Sequence, residues 1–281
     1  MNSIKVTILG ADKRQLSIYE ILKNQYSVEA YDMPGHPTYE KNENCGKFVI
    51  LPTVASKDGV HLNLSRSNEP LTEDFISSLS RHTHLITGIC QDNMKELCTK
   101  KSIYLHEYTK DETFKLLNAV PTAEGAIALA VQNTEITLWR SKCLIIGNGC
   151  IGKALGARLL ALGANVTVSA RKAEDFAHLD AMNIRHIETK DIDKEIGKYN
   201  VIFNTVPKRI LQSDSLEALS TSTLFVDLAS APYGVDHERA NEYPCKILKA
   251  GSLPGKFSPT TAAELAAEAI GKIIEKVSNN G

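Results

Sequence analysis

Short apolar runs alternate with longer stretches of helical periodicity along most of the chain. Lys5-Val-Thr-Ile-Leu9 has the pattern of a buried strand, and Gly10-Ala-Asp-Lys-Arg14-Gln-Leu leads from it into a helix reaching about Asn24. Val28-Glu-Ala-Tyr31, Lys47-Phe-Val-Ile-Leu51, His84-Leu-Ile-Thr87 and Ile103-Tyr-Leu-His106 read as further strands. Helical spacing recurs over residues 72–79, 93–100 and 111–117, whereas 33–38, 41–45 and most of 52–70 read as loop, with one alternating piece at 61–64. A separate alanine-rich helix is expected from Asn118-Ala-Val-Pro121 to Asn133, with Thr122 as its cap and Glu124 in its first turn.

The alternation resumes after residue 140. Strands are expected at 143–146, 165–170, 184–187, 200–204, 223–227 and 246–249, with helices at 153–162, 175–182, 191–196, 213–219 and 236–241. Ser258-Pro259 then suits the start of a last helix running to about Val277, with Ala262, Leu265, Ala269, Ile273 and Val277 on one face. Strands that alternate with helices imply parallel sheets covered on both faces. The fold class is therefore α/β, with two Rossmann-like parallel-sheet domains joined by a linking helix. The expected boundaries are 1–117 for an N-terminal substrate and catalytic domain and 118–140 for a linking helix and connector lining a cleft between domains. Residues 141–259 form a nucleotide-binding domain, and the helix at 260–281 is positioned to cross back onto the first.

One junction carries a specific chemical signal. The strand ending at Ile146 runs into Gly147-Asn148-Gly149-Cys150-Ile151-Gly152, a G-x-G-x-x-G turn between strand and helix, and a second strand follows. Gly147 permits the turn, Gly149 lets backbone approach a diphosphate, and Gly152 lets helix and strand pack closely. The helix start offers unpaired N–H groups to the phosphates. Where an acid for a ribose 2′-OH would stand, the chain has Ser169-Ala170-Arg171-Lys172. Arg171 and Lys172 suit a 2′-phosphate, and so NADP, although a solvated basic pair at a strand end is the simpler alternative. Thr205, Val206 and Pro207 end one later strand, and Asp227 and Ala229 another, at the carboxyl edge where nucleotides bind. Cys150 reads as a small filler in the turn and not as a nucleophile.

Composition narrows the classes further. The chain has 281 residues, 43% of them hydrophobic and 23% charged, with a formal net charge of −1. There is no block of like charge, so no nucleic-acid or membrane-surface partner is expected. No signal-peptide core and no apolar run of membrane-spanning length stand out, which predicts a cytoplasmic protein. The six cysteines lack metal or redox spacing, and no metal is expected. The eight histidines are scattered, with His84 and His106 best placed for a catalytic base.

Several of these stretches together resemble the A subunit of bacterial dipicolinate synthase over nearly the whole chain. They are Gly10-Ala-Asp-Lys-Arg-Gln15, Asn118-Ala-Val-Pro-Thr-Ala-Glu-Gly-Ala126, the Gly147–Gly152 turn, Asn204-Thr-Val-Pro207, Asp227-Leu-Ala-Ser230 and Leu253-Pro-Gly-Lys256. The order of parts is also similar to the alanine- and 2-hydroxyacid-dehydrogenase architecture. Two departures from that family, Gly10-Ala11 for two glycines and Asn148-Gly149-Cys150 without an aromatic, remove no phosphate contact.

The resemblance implies oxidation of a dihydrodipicolinate-type ring, or its hydroxy-tetrahydro precursor, by NADP⁺ in the mother cell of a sporulating bacterium. It also implies a partner, the flavoprotein-like B subunit of dipicolinate synthase, and leaves homo-oligomerisation open. A dicarboxylate needs cationic partners, and Arg14 and Lys256 are the candidates for the reacting end, with Lys13, Thr122, Glu124 and Ser230 as further substrate contacts. Each of these has a plainer reading, the cations as solvated charge and Glu124 as a first-turn acid. Two other functions remain open: a dehydrogenase of another small carboxylate, amino or hydroxy acid, and a non-catalytic NADP-binding protein supporting a partner.

Overall fold

The computed structural model describes residues 4–10, 12–40, 45–64 and 70–279, so the loop expected over 41–44 and part of that over 52–70 lie outside the described residues. The chain forms two compact units, one from residues 1–115 with 259–281 and one from 116–258.

In the first unit the elements are β1 (Lys5–Leu9), α1 (Lys13–Leu22), β2 (Ser27–Tyr31), β3 (Phe48–Ile50), α2 (Thr72–Ser78), β4 (His84–Thr87), α3 (Asp92–Lys101) and β5 (Tyr104–Glu107). All strand pairs are parallel, in the order β2-β1-β3-β4-β5. Strand residues alternate between the two faces because the side-chain period is two. Val6, Ile8, Phe48 and Ile50 enter one core, and Leu9, Val49, Leu51 and Leu85 the other.

The chain leaves this unit within α4 (Glu112–Asn133). The expected break at Asn118 is absent: helix continues through Pro121, so Thr122 is not a cap and Glu124 is not in a first turn. Proline removes one N–H donor from a helix interior. Here Thr122 Oγ1 donates to the Asn118 carbonyl at 2.7 Å, supplying a side-chain bond in that stretch. Ala119, Ala123, Ala126 and Ala130 are buried, which offsets the irregularity with packing. This helix also corrects the expectation about apolar runs. It is long and apolar enough to cross a membrane by length and composition alone, and 44% of the relevant window is buried inside the protein.

The second unit continues with β6 (Lys142–Ile146), α5 (Cys150–Ala161), β7 (Asn165–Ala170), α6 (Ala173–Ala181), β8 (Arg185–Glu188) and β9 (Val201–Asn204). It ends with α7 (Ser213–Glu217), β10 (Leu224–Asp227), β11 (Lys246–Lys249) and α8 (Leu253–Phe257). Its sheet is parallel throughout, in the order β11-β10-β9-β6-β7-β8. That is the doubly wound dinucleotide-binding arrangement, with its reversal between β6 and β9. The helix expected at 191–196 is instead two 3₁₀ segments, and 236–241 contributes only a 3₁₀ turn at its end.

The last helix, α9 (Pro259–Asn279), belongs to the first unit. It packs on α1, where Ala263, Ala266, Ala267, Ile270 and Ile274 join Ile18 and Leu22 in one core. Of the stripe expected from periodicity, Ala262 and Ala269 are buried, whereas Leu265, Ile273 and Val277 are half-buried at the margin of that face.

Candidate functional site

The second unit holds a cavity of about 490 Å³ where its sheet order reverses, lined by Gly147, Asn148 and Gly149 after β6 and by Thr205, Val206, Pro207 and Ile210 after β9. Ser169, Ala170, Arg171, Lys172, Glu174, Asp175 and Thr189 complete it. Loops leaving neighbouring strands in opposite directions open such a crevice at the carboxyl edge.

The three glycines are needed for different reasons. Gly147 has a φ of +101°, and a Cβ there would lie 2.6 Å from Thr205 Oγ1. At Gly152 a Cβ would run into the Gly147 carbonyl. Gly149 has an ordinary φ of −78°, and a Cβ on it would meet no protein atom within 4 Å. Nothing inside the chain demands glycine at 149. The open space beside it suits close approach by a ligand. Gly149 is also the residue before α5, where no side chain caps the helix, so the first N–H groups face the cavity with the dipole's positive end.

Thr205 Oγ1 donates to the Ile146 carbonyl at 2.9 Å and ties the two loops together. Asn148 Nδ2 donates to Asp175 Oδ1 at 2.9 Å, which engages one of the two acids in the lining. Arg171 and Lys172 are exposed, and neither forms an ion pair among the described residues. A second hollow of about 660 Å³ shares Arg171, Thr189, Val206, Pro207 and Ile210 with the first and adds Lys190, Lys208 and Arg209. Lys190 is paired with Glu188 at 2.5 Å and Arg209 with Asp236 at 3.3 Å.

The cavity thus collects Gly147, Asn148, Gly149, Ser169, Arg171, Lys172, Thr205, Val206 and Pro207. Cys150, Ile151 and Gly152 lie in the helix start behind it. Asp227 and Ala229 are placed elsewhere: both are buried and neither lines the cavity. Asp227 accepts from Asn204 Nδ2 at 2.8 Å, the Gly234 N–H at 2.9 Å and the Ala229 N–H at 3.3 Å. His237 Nε2 lies 3.0 Å from it. Those partners make Asp227 the anchor of the 228–237 loop. Sequence reasoning passed over Thr189 and Ile210; the carboxyl-edge rule applied to β8 points to Thr189.

The expected substrate contacts are scattered by comparison. Lys13 is exposed at the start of α1, and Arg14 follows it, 20% exposed, with Nη2 3.7 Å from Asp12 Oδ2. Thr122 is buried inside α4. Glu124 is exposed and lies 3.3 Å from Arg158 Nε on α5, so its charge is already matched. Ser230 is exposed beyond the end of β10, and Lys256 is exposed in α8. His84 and His106 occupy one another, with Nδ1 of the first 3.0 Å from Nε2 of the second and the rings stacked. Burial, then His106 and Lys47, push the His84 pKa down to about 4. That pair is poorly suited to serve as a base.

Similarity to known proteins follows the same division. A family profile for the N-terminal domain of the dipicolinate synthase A subunit matches residues 5–109, and one for shikimate / quinate 5-dehydrogenase matches 128–244. The A subunit of dipicolinate synthase from Bacillus subtilis (strain 168) is 28% identical over 99% of this chain and 98% of its own length. The crystal structure of the dipicolinate synthase A chain from Bacillus subtilis superposes with a TM-score of 0.90 at 26% identity, covering 100% of this chain and 99% of that one. An L-alanine dehydrogenase shares the fold, with a TM-score of 0.67 at 11% identity over 99% of this chain and 90% of that one.

Proposed function

We propose that this chain, which is similar over its whole length to the A subunit of dipicolinate synthase, oxidises dihydrodipicolinate, or its hydroxy-tetrahydro precursor, to dipicolinate with NADP⁺. It is an oxidoreductase of the dehydrogenase type, with a site suited to a nicotinamide nucleotide. The observation that carries the reading is the turn at Gly149: an uncapped helix start under open space, with Arg171 and Lys172 unengaged at the end of the next strand.

In the dihydro reaction the ring loses one hydride and one proton, giving the aromatic dicarboxylate, NADPH and H⁺; the hydroxy-tetrahydro precursor must lose a water as well. NADP⁺, when bound, supplies the hydride acceptor. The protein's tasks are to orient, to receive a proton and to balance two carboxylates. The α5 N–H groups would hold the diphosphate, and Thr205, Val206 and Pro207 would wall the crevice. Arg171 and Lys172 would take the 2′-phosphate, with Lys208 in the adjoining hollow. Arg14 and Lys256 are the cations proposed for the substrate carboxylates, with Lys13 and Ser230 as further contacts. Thr122 and Glu124 are weaker candidates, since one hydroxyl bonds within its helix and the other side chain pairs with Arg158. The family points to the flavoprotein-like B subunit of the synthase for a partner and to the mother-cell cytoplasm as the place of action.

Purified chain given dihydrodipicolinate and NADP⁺ should develop the absorbance of reduced nicotinamide. Turnover that appears only once the B subunit is added would instead make this a supporting nucleotide-binding component. Arg171→Asp should weaken NADP⁺ binding by about tenfold or more while sparing NAD⁺; unchanged NADP⁺ affinity would remove the 2′-phosphate assignment.

A further inference from the structure

We infer that Thr53, oriented by Tyr108, donates its hydroxyl hydrogen to one carboxylate of the substrate beside Arg14. The inference rests on the dicarboxylate reading and adds two residues to it.

The first unit has its own strand reversal, between β1 and β3, and the loops leaving those strands part at the carboxyl edge. Both loops are fixed from beneath. Gln15 Nε2 donates to the Leu9 carbonyl at 3.0 Å, and Thr87 Oγ1 donates to the Pro52 carbonyl at 2.7 Å. A Cβ on Gly10 would lie 2.6 Å from the Pro52 ring, so the loops touch at their roots. The Ile89 N–H donates to the Thr53 carbonyl at 2.6 Å and sets the backbone of that residue.

Thr53 is half-buried, and its Oγ1 lies 2.7 Å from the hydroxyl of Tyr108. Tyr108 is 2% exposed and packs edge-on against Phe114. A buried phenol that has no acceptor for its hydrogen carries a desolvation penalty, and Thr53 is the one side-chain partner of Tyr108 among the described residues. Tyr108 therefore donates, and burial, which pushes its pKa up, keeps it protonated to do so. Thr53 Oγ1 accepts that bond and keeps its own hydrogen for a second acceptor.

A cation stands at the same corner. Arg14 and Asp12 both act electrostatically on Tyr108, in opposite directions, which places that pair beside it. The Arg14 Nε is buried and has no acceptor among the described residues. Its nearest carboxylate, on Asp12, is 3.7 Å away, too far for a hydrogen bond. A guanidinium presents five donors in a planar fork that matches a carboxylate. An unsatisfied Nε–H and a hydroxyl hydrogen at one loop junction select a carboxylate over a neutral group. Tyr108 touches no ligand in this scheme; it is a positioning residue.

The full-length chain tests this by steady-state kinetics with dihydrodipicolinate and NADP⁺, and by calorimetric binding of dipicolinate. Thr53→Val keeps the side-chain shape and should raise KM for the dicarboxylate and Kd for dipicolinate by about tenfold, with NADP⁺ affinity unmoved. Thr53→Ser should restore both. Tyr108→Phe should shift the same two quantities in the same direction by a smaller factor. Unchanged KM and Kd in Thr53→Val overturn the inference, even if wild-type turnover upholds the function. Wild-type chain that binds dipicolinate through Thr53 without turning over the dihydro compound would retain the carboxylate site and remove the proposed reaction. Wild-type chain that does not bind dipicolinate overturns the inference.

Discussion

Both units place a loop and a helix after the first strand of a parallel sheet, beside a reversal of strand order, yet the two helix starts are finished in opposite ways. In the second unit Gly149 precedes α5 and no side chain caps it. In the first, Asp12 precedes α1 and accepts from the Gln15 N–H at 2.6 Å. A carboxylate in that position satisfies the helix dipole from within the chain. It would also repel a phosphate. The same topology thus supports a helix start open to a nucleotide or one closed by its own carboxylate, with Arg14 left to meet an anion. The lesson is that the architecture supplies the crevice while the residue before the helix decides whether the helix start itself is left to meet a ligand.

That contrast can be attacked at its strongest point first. Gly152→Ala should disrupt the second unit by several kcal/mol, because its Cβ has no room beside the Gly147 carbonyl. The single tryptophan, Trp139, lies in that unit, so its fluorescence during denaturant unfolding reports the loss. Gly149→Ala should leave the same unfolding curve nearly intact but weaken nucleotide binding by about tenfold or more, through lost close approach. Equal effects in the two variants would mean that the turn is merely structural.

A smaller effect should distinguish the first unit. The folded chain favours neutral His84, whose pKa falls to about 4 with burial as the main cause. The unfolded chain takes up that proton near about pH 6.5. Stability from this residue is therefore complete above that pH and is lost as pH falls toward 4. Lys47 and His106 act on His84, and Lys276 on α9 acts on His106, so the charged groups acting on this cluster from among the described residues are cationic. Between pH 7 and pH 5 the first unit should lose about 1–2 kcal/mol, and His84→Gln should flatten that dependence. Asp12→Ala should change least, costing about 1 kcal/mol through the lost cap without creating nucleotide affinity. Calorimetric unfolding checks both.

Much of the second unit was readable from local order: the turn at 147–152 and the apolar runs on either side are short-range features. Ser169, Arg171, Lys172, Thr205, Val206 and Pro207 could be placed because strand ends in a doubly wound sheet share an edge. Asp227 could not be resolved that way, because a strand-end acid looks alike whether it meets a ligand or anchors its own loop through Asn204 and Gly234. Pro121 misled for a related reason. Its local penalty argues for a helix boundary, and only the buried alanines around it show that packing outweighs it. The short α8 and the Thr53–Tyr108 pair were silent in the sequence. Partners 55 residues apart leave no periodicity to detect.

The first unit draws on both ends of the chain, with α9 covering Ile18 and Leu22 of α1. A ribosome must therefore release the nucleotide unit, complete in sequence from 116 to 258, before the other can close its core. Until α9 is made, Ile18 and Leu22 lack the apolar partners it supplies, so completion of the first core waits on the last helix.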